Sequence, residues 1–191
     1  MGMALAAVPS LRPVRKAWTR LGFAVSELTE FGGCPAFSVL LEESGVRFLA
    51  PPLDAEPSLL AQAVEDRLIG GSGLIGWSWA CNDIGDSRRA IEELSGKLFA
   101  TDTDGNKSVV VPWKLNPGAV TVLETTRDPG RREHPNAVTG IDHLVLTVSD
   151  TDAACHAYAS NFGLSPKSKT MKERRYAFLK VGRSVVEIVG P

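Results

Sequence analysis

The chain has 191 residues, enough to bury a sizeable core in one or two domains. Hydrophobic residues make up 43% and charged residues 23%, an ordinary globular balance, and the formal net charge of -1 gives no electrostatic case for nucleic acid or an anionic membrane. No run approaches the ~20 apolar residues that span a bilayer, and Cys34, Cys81 and Cys155 form no CxxC pair, so reduced thiols in a cytoplasmic protein are expected.

The start, Met1-Gly-Met-Ala-Leu-Ala-Ala-Val, has no basic n-region and reads as a strand, not as a signal peptide. An amphipathic helix carrying Val14, Ala17, Trp18 and Leu21 follows and stops at Leu21-Gly22-Phe23. Two strand-like runs, Ala36–Leu41 and Val46–Ala50, close this first unit at Pro51. Pro57 to Ile69 reads as a connecting helix, and Gly70-Gly-Ser-Gly73 as a flexible joint with no lysine to reach a phosphate. A second unit opens on the alternating run Ile75–Cys81. It continues through a helix with Ala90, Ile91 and Leu94 that stops at Gly96, a hairpin signal at Asp102-Thr-Asp-Gly105, and strands Ser108–Leu115 and Ala119–Glu124.

The polar segment Thr125 to Asn136 reads as a linker. A third unit then repeats the first: the strand Thr139 to Val148, a helix with Ala154, Ala157, Tyr158 and Phe162 ending at Phe162-Gly163-Leu164, and the runs Tyr176–Val181 and Ser184–Val189. From Val8 to Pro51 in the first unit and from Val148 to Pro191 in the third the spacing is the same, about 43 residues. The expected organisation is a domain over 1–126, made of units 1–52 and 73–126 joined by the helical segment, followed by a third unit over 137–191.

Strand alternation puts His143, Val145 and Thr147 on one face of the third unit's first strand, and Glu187 with Val185 and Val189 on its last. A curved sheet of this kind turns one face toward helices and the other into a cleft, where His143 and Glu187 converge. Imidazole with carboxylate suits Fe, Mn, Zn or Ni as a divalent ion. Of the other histidines, His134 belongs to the linker and shapes its turn with Pro135 and Asn136, while His156 sits on the helix, away from His143.

The repeated βαβββ pattern, with Gly140-Ile-Asp-His-Leu-Val-Leu-Thr-Val-Ser-Asp150, Phe162-Gly-Leu164 and Phe178-Leu-Lys-Val-Gly-Arg-Ser-Val-Val-Glu-Ile-Val189, resembles the vicinal oxygen chelate superfamily of glyoxalases, bleomycin-resistance proteins and extradiol dioxygenases. Trp113-Lys-Leu115, Val122-Leu-Glu124 and the stretch His134 to Gly140 look like its glyoxalase-like branch. The resemblance implies an α+β fold of βαβββ units forming open, cup-like mixed sheets with helices outside. It implies that His143 and Glu187 are first-strand and last-strand metal ligands of unit three, and that Glu124 is the last-strand ligand of unit two. The partner position of Glu124 falls near Gly76, and unit one offers Met3 and Phe48 where ligands are expected, so units one and two retain at most one ligand between them.

The implied function is a metal-dependent lyase or isomerase acting on a small molecule with adjacent oxygens, with Glu187 or Glu124 moving a proton. Pairing of unit three with its copy in a homodimer gives two His143 and two Glu187 around a two-fold axis. The alternatives are a metal-free drug- or metabolite-binding protein and a ring-cleaving dioxygenase. The extradiol ligand set lacks its internal-strand histidine here, since Ser165 to Val181 contains none. Trp77, Trp79 and Trp113 either line an apolar cleft between units one and two or fill the core.

Overall fold

Three apolar first strands set the architecture: β1 (Ala4–Ala7), β5 (Gly73–Cys81) and β9 (His143–Thr147) each begin a unit of the same topology. A computed structural model describes residues 2–42, 44–53, 58–95, 100–103, 106–111, 115–125, 133–182 and 184–191; the side chains of 94–95, 100–103 and 106–107 are not among them. Pro57, Gly96, the Asp104-Gly105 turn, Trp113 and most of the expected linker lie outside the described residues.

Unit one continues through α1 (Leu11–Arg20), β2 (Thr29–Phe31), β3 (Cys34–Leu40) and β4 (Gly45–Leu49), and α2 (Leu59–Ile69) leads to β5. Unit two adds α3 (Ile84–Ser95), β6 (Ala100–Thr103), β7 (Asn106–Val111) and β8 (Val120–Thr125). Unit three adds α4 (Thr151–Phe162), β10 (Lys167–Met171), β11 (Arg174–Val181) and β12 (Ser184–Gly190). In every unit the last strand runs parallel to the first and the two hairpin partners lie outside it.

Units one and two share one eight-stranded sheet in the order β2-β3-β4-β1-β5-β8-β7-β6, joined by the antiparallel seam β1–β5. Unit three forms a separate sheet, β10-β11-β12-β9. The large sheet curls strongly, because β2 and β6, at opposite ends of its strand order, touch. Its inner face is the one on which Arg47 of β4 reaches Glu124 of β8 across two intervening strands, at 3.2 Å. On the outer face α1 covers unit one and α3 covers unit two.

The helix expected only as a connector does more. Leu60, Ala61 and Val64 of α2 are buried on the inner face against β1, β2, β3 and β5, so α2 plugs the cup. Burying Leu60 alone contributes about 2 kcal/mol. The plug is anchored at its start, where Ser58 Oγ accepts the N–H of Ala61 and donates to the carbonyl of Gly32. Cys34 faces the same core. Burial, with Glu65 and Glu30 nearby, pushes its thiol up to about 12. Its contribution is therefore complete below the ordinary thiol value and is lost as pH rises from there toward the folded-state value. Native Cys34 is expected to stay unmodified by iodoacetamide near pH 8 and to react only when urea unfolds the chain, as mass spectrometry would show.

Unit three packs back to back with the large sheet. Leu144, Leu146, Val186 and Ile188 form one core with Ala154 and Tyr158 of α4 and with Trp77 and Trp79 of β5. The helix is defined at both ends. Asp150 Oδ1 accepts the N–H of Ala153, a cap of about 1 kcal/mol, and Gly163 ends it at φ +63, in the left-handed region glycine tolerates. No described helix is long and apolar enough to cross a membrane.

Candidate functional site

Register identifies the equivalent positions in the three units. In unit three His143 pairs with Val185, and Glu187 follows two residues on along β12. In unit two Ser78 pairs with Val122, and Glu124 follows two residues on along β8. Ser78 is thus the counterpart of His143, and the expected position, Gly76, is displaced by one inward-facing step. Glycine is required there for another reason: a Cβ on Gly76 would lie 1.8 Å from the Val120 carbonyl oxygen. In unit one the inward residue of β4 is Arg47, which pairs with Leu5, whereas Phe48 faces outward, stacked on Phe37 and tilted against Trp18. A shift of one residue on a strand exchanges its faces, which is why Phe48 falls out and Arg47 takes its place. Met3 does face inward, with its side chain against Gly45.

These four positions meet at the β1–β5 seam. Ser78 Oγ accepts the N–H of Met3 at 2.9 Å and donates to Glu124 Oε1, and Arg47 Nη1 reaches Glu124 Oε2 at 3.2 Å. The Arg47 guanidinium also lies 3.8 Å over the ring of Phe31. Both side chains of the ion pair are mostly buried, 16% and 17% exposed. A thioether, a guanidinium, a hydroxyl and one carboxylate do not fit a divalent metal, because the fixed cation of Arg47 already neutralises Glu124. Glu124 is held by two partners inside a plugged cup, so no proton-transfer step is assigned to it.

The small sheet differs in both chemistry and access. His143 and Glu187 share one face on adjacent strands, and that face is turned away from α4 and the core. The His143 side chain is half exposed, with Nδ1 3.0 Å from Asp142 Oδ2. That contact engages Nδ1 and not Nε2, the arrangement in which a carboxylate orients a metal-binding imidazole. Two side chains do not complete a metal shell, and among the described residues no cluster of three or more His, Cys, Asp or Glu exists.

Trp77 and Trp79 lie on the outer face of the large sheet, 3% and 7% exposed, packed on Tyr158 and Phe162. They fill the core between the sheets and do not line the inner face of the cup. Trp113 lies outside the described residues. His134 does more than shape a turn. Its Nδ1 accepts the N–H of Ala24 at 2.9 Å and its Nε2 donates to the Leu40 carbonyl, tying the segment before unit three onto unit one. His156 is exposed on α4, beside Ser160. The residues that sequence reasoning missed are Arg47 and Ser78. The signal for Arg47 lies in the run Val46-Arg-Phe-Leu, where one charge stands among apolar neighbours, and that for Ser78 in Trp77-Ser-Trp79, where a hydroxyl alternates with two indoles.

No family model and no curated protein matches the chain. Solved structures do. A triple mutant of 4-hydroxymandelate synthase from Streptomyces coelicolor is 16% identical with a TM-score of 0.67, covering 99% of this chain and 62% of that one. A fusion of a xylose isomerase-like TIM barrel with 4-hydroxyphenylpyruvate dioxygenase is 15% identical with a TM-score of 0.65, covering 97% of this chain and 31% of that one. Methylmalonyl-CoA epimerase, in complex with methylmalonyl-CoA and ammonium, is 15% identical with a TM-score of 0.51, covering 69% of this chain and 97% of that one. The chain therefore spans less than two thirds of the synthase and about a third of the fusion protein.

Proposed function

The chain has the vicinal oxygen chelate fold, and we propose that its working site is the open face of the small sheet, where His143 and Glu187 form half of a divalent-metal site that a second copy completes. On this reading the protein is a lyase or isomerase acting on a small molecule with adjacent oxygens. The supporting observation is the large sheet itself. There the antiparallel β1–β5 seam brings the four equivalent positions of two units into hydrogen-bond contact. Pairing β9 with its copy in the same way assembles two histidines and two carboxylates.

The edges of the small sheet favour this pairing. Its outer edge, β10, carries Lys167 and Lys169, the usual protection against unwanted strand addition. The other edge, β9, reads His-Leu-Val-Leu-Thr, with no lysine and no proline, and Val145 is 54% exposed. Beside it lies a small groove of about 80 Å³ with Leu74 and Gly118 on its wall.

In such a dimer His143, oriented by Asp142, and Glu187 hold the ion. A divalent cation there supplies Lewis acidity toward adjacent substrate oxygens. Val145 and its copy shield the seam from water, and Glu187 is the group positioned to exchange a proton with a bound substrate.

The test is elemental analysis with mass in solution on gently purified protein. One metal ion per two chains in a dimer is expected, and His143→Ala or Glu187→Ala should each weaken metal affinity by about 100-fold or more. A metal-free protein, or a metal content untouched by both substitutions, overturns the reading and leaves the binding-protein alternative.

A further inference from the structure

The face that carries His143 and Glu187 has a charge pattern that neither metal binding nor folding requires. Register places Lys180 beside Val185, in the cross-strand row that ends at His143. The next row runs Lys167, Phe178, Glu187, Val145, and the one after it Lys169, Tyr176, Val189, Thr147. Arg174 follows on the same face of β11. Four cations thus share a face on which Glu187 is the one carboxylate among the described strand residues. None of the four makes an ion pair among the described residues; the cation that does, Arg175, points to the other side and binds Asp152 of α4. Edge protection accounts for Lys167 and Lys169 on β10 but not for Lys180 and Arg174, which belong to an interior strand.

Apolar groups are exposed among these charges. Phe178 is 37% and Met171 42% exposed, and both share the face with Val145. Two such faces cannot close on each other, since that would set lysines against lysines. In a dimer paired along β9 they become opposite walls of one cup.

We infer that the ligand of this site is a small organic anion, with a flat apolar body lying on Phe178 and Val145 and an oxyanion group held by Lys167 with its neighbours Lys169 and Lys180, while Arg174, six residues from Lys180 along β11, adds only to the positive field. The inference rests on the reading above for the location of the site and adds the chemistry of what enters it. Adjacent strands are ~4.8 Å apart, so the lysines lie roughly two to three strand spacings from β9. The charged group of the ligand is therefore separate from the oxygens that meet the His143–Glu187 end, and the molecule is longer than a three-carbon acid. Attraction to exposed lysines acts mainly at low ionic strength, because salt screens charges beyond ~10 Å at 0.1 M.

The test uses the full chain after chelator treatment, so that metal binding plays no part, and 2-naphthoate with its neutral isostere 2-naphthamide as probes. Calorimetric titration at low salt is expected to give at least about tenfold tighter binding of the acid, with the preference shrinking in about 0.5 M NaCl. The variant Lys167→Gln/Lys169→Gln/Lys180→Gln should lose that preference. Arg12→Gln/Lys16→Gln/Arg20→Gln, which removes the same charge from exposed α1, should keep it. Equal affinity for acid and amide, an unchanged preference in the β10–β11 variant, or acetate binding as tightly as naphthoate overturns the inference. Metal content unchanged in both His143→Ala and Glu187→Ala, with naphthoate binding retained, would sink the metal reading and leave this one standing.

Discussion

Arg47→Met is expected to destabilise the fold by about 3 kcal/mol, the cost of leaving a mostly buried carboxylate without its counter-charge. Glu124 would retain only Ser78, on a face closed by α2 and lined by Phe31, Leu5 and Val122. Glu124→Gln should cost less, because the amide still accepts from Ser78 Oγ–H or donates to it, while the guanidinium keeps the ring of Phe31. The double variant Arg47→Met/Glu124→Gln is expected to recover most of the loss, since neither remaining group is charged. Urea unfolding of the four proteins gives the coupling as a double-mutant cycle. Additive effects would mean that the pair is solvated and the cup open. In thermal melts the Arg47→Met deficit corresponds to ~6–12 °C for a chain of this size.

Val145→Pro is expected to abolish the dimer and metal binding while sparing the monomer fold. The reason is the phase of the β9 ladder. Val185 donates to the Asp142 carbonyl and Val148 donates to the Val189 carbonyl, so the even-numbered residues of β9 turn their backbone groups to β12. His143, Val145 and Thr147 turn theirs to the free edge. Proline at 145 thus removes an N–H that β12 does not use and sets its ring against any incoming strand. Mass in solution should fall to that of one chain of 20.4 kDa, and metal content should fall with it, although both ligands remain. The same proline at Leu146 would break a bond to β12 and serves as the destabilised control. A Val145→Pro protein that stays dimeric, or keeps its metal as a monomer, would show that the site is completed from elsewhere.

Much of the architecture could be read from the chain because strands buried on one face advertise themselves. The runs Ala36–Leu41, Val46–Ala50, Ile75–Cys81 and Ser184–Val189 alternate or are apolar throughout, and each is a strand in the fold. Capping residues gave the helix ends: Asp150 and Gly163 bracket α4 as their chemistry requires. The edge strands β2 and β10 were less visible. β10 is exposed along its whole length, so no hydrophobic period marks it. The helix α2 was found as a helix, but not as a plug, because a few buried positions do not say which sheet face they cover.

The candidate site divides in the same way. Sequence alone determined that the chain is three copies of one unit and that unit three keeps a histidine on its first strand and a carboxylate on its last, since periodicity and residue type are local properties. Only the tertiary structure decided which residues are their counterparts. A one-residue slip turns a strand over, and that exchanged Phe48 for Arg47, while cross-strand register moved the unit-two position from Gly76 to Ser78. Only the tertiary structure, too, showed Trp77 and Trp79 packed between the sheets, and the His143–Glu187 face open beside an unguarded edge. Burial and strand neighbours depend on contacts between residues far apart in the chain, and no single strand carries that information in its own order of residues.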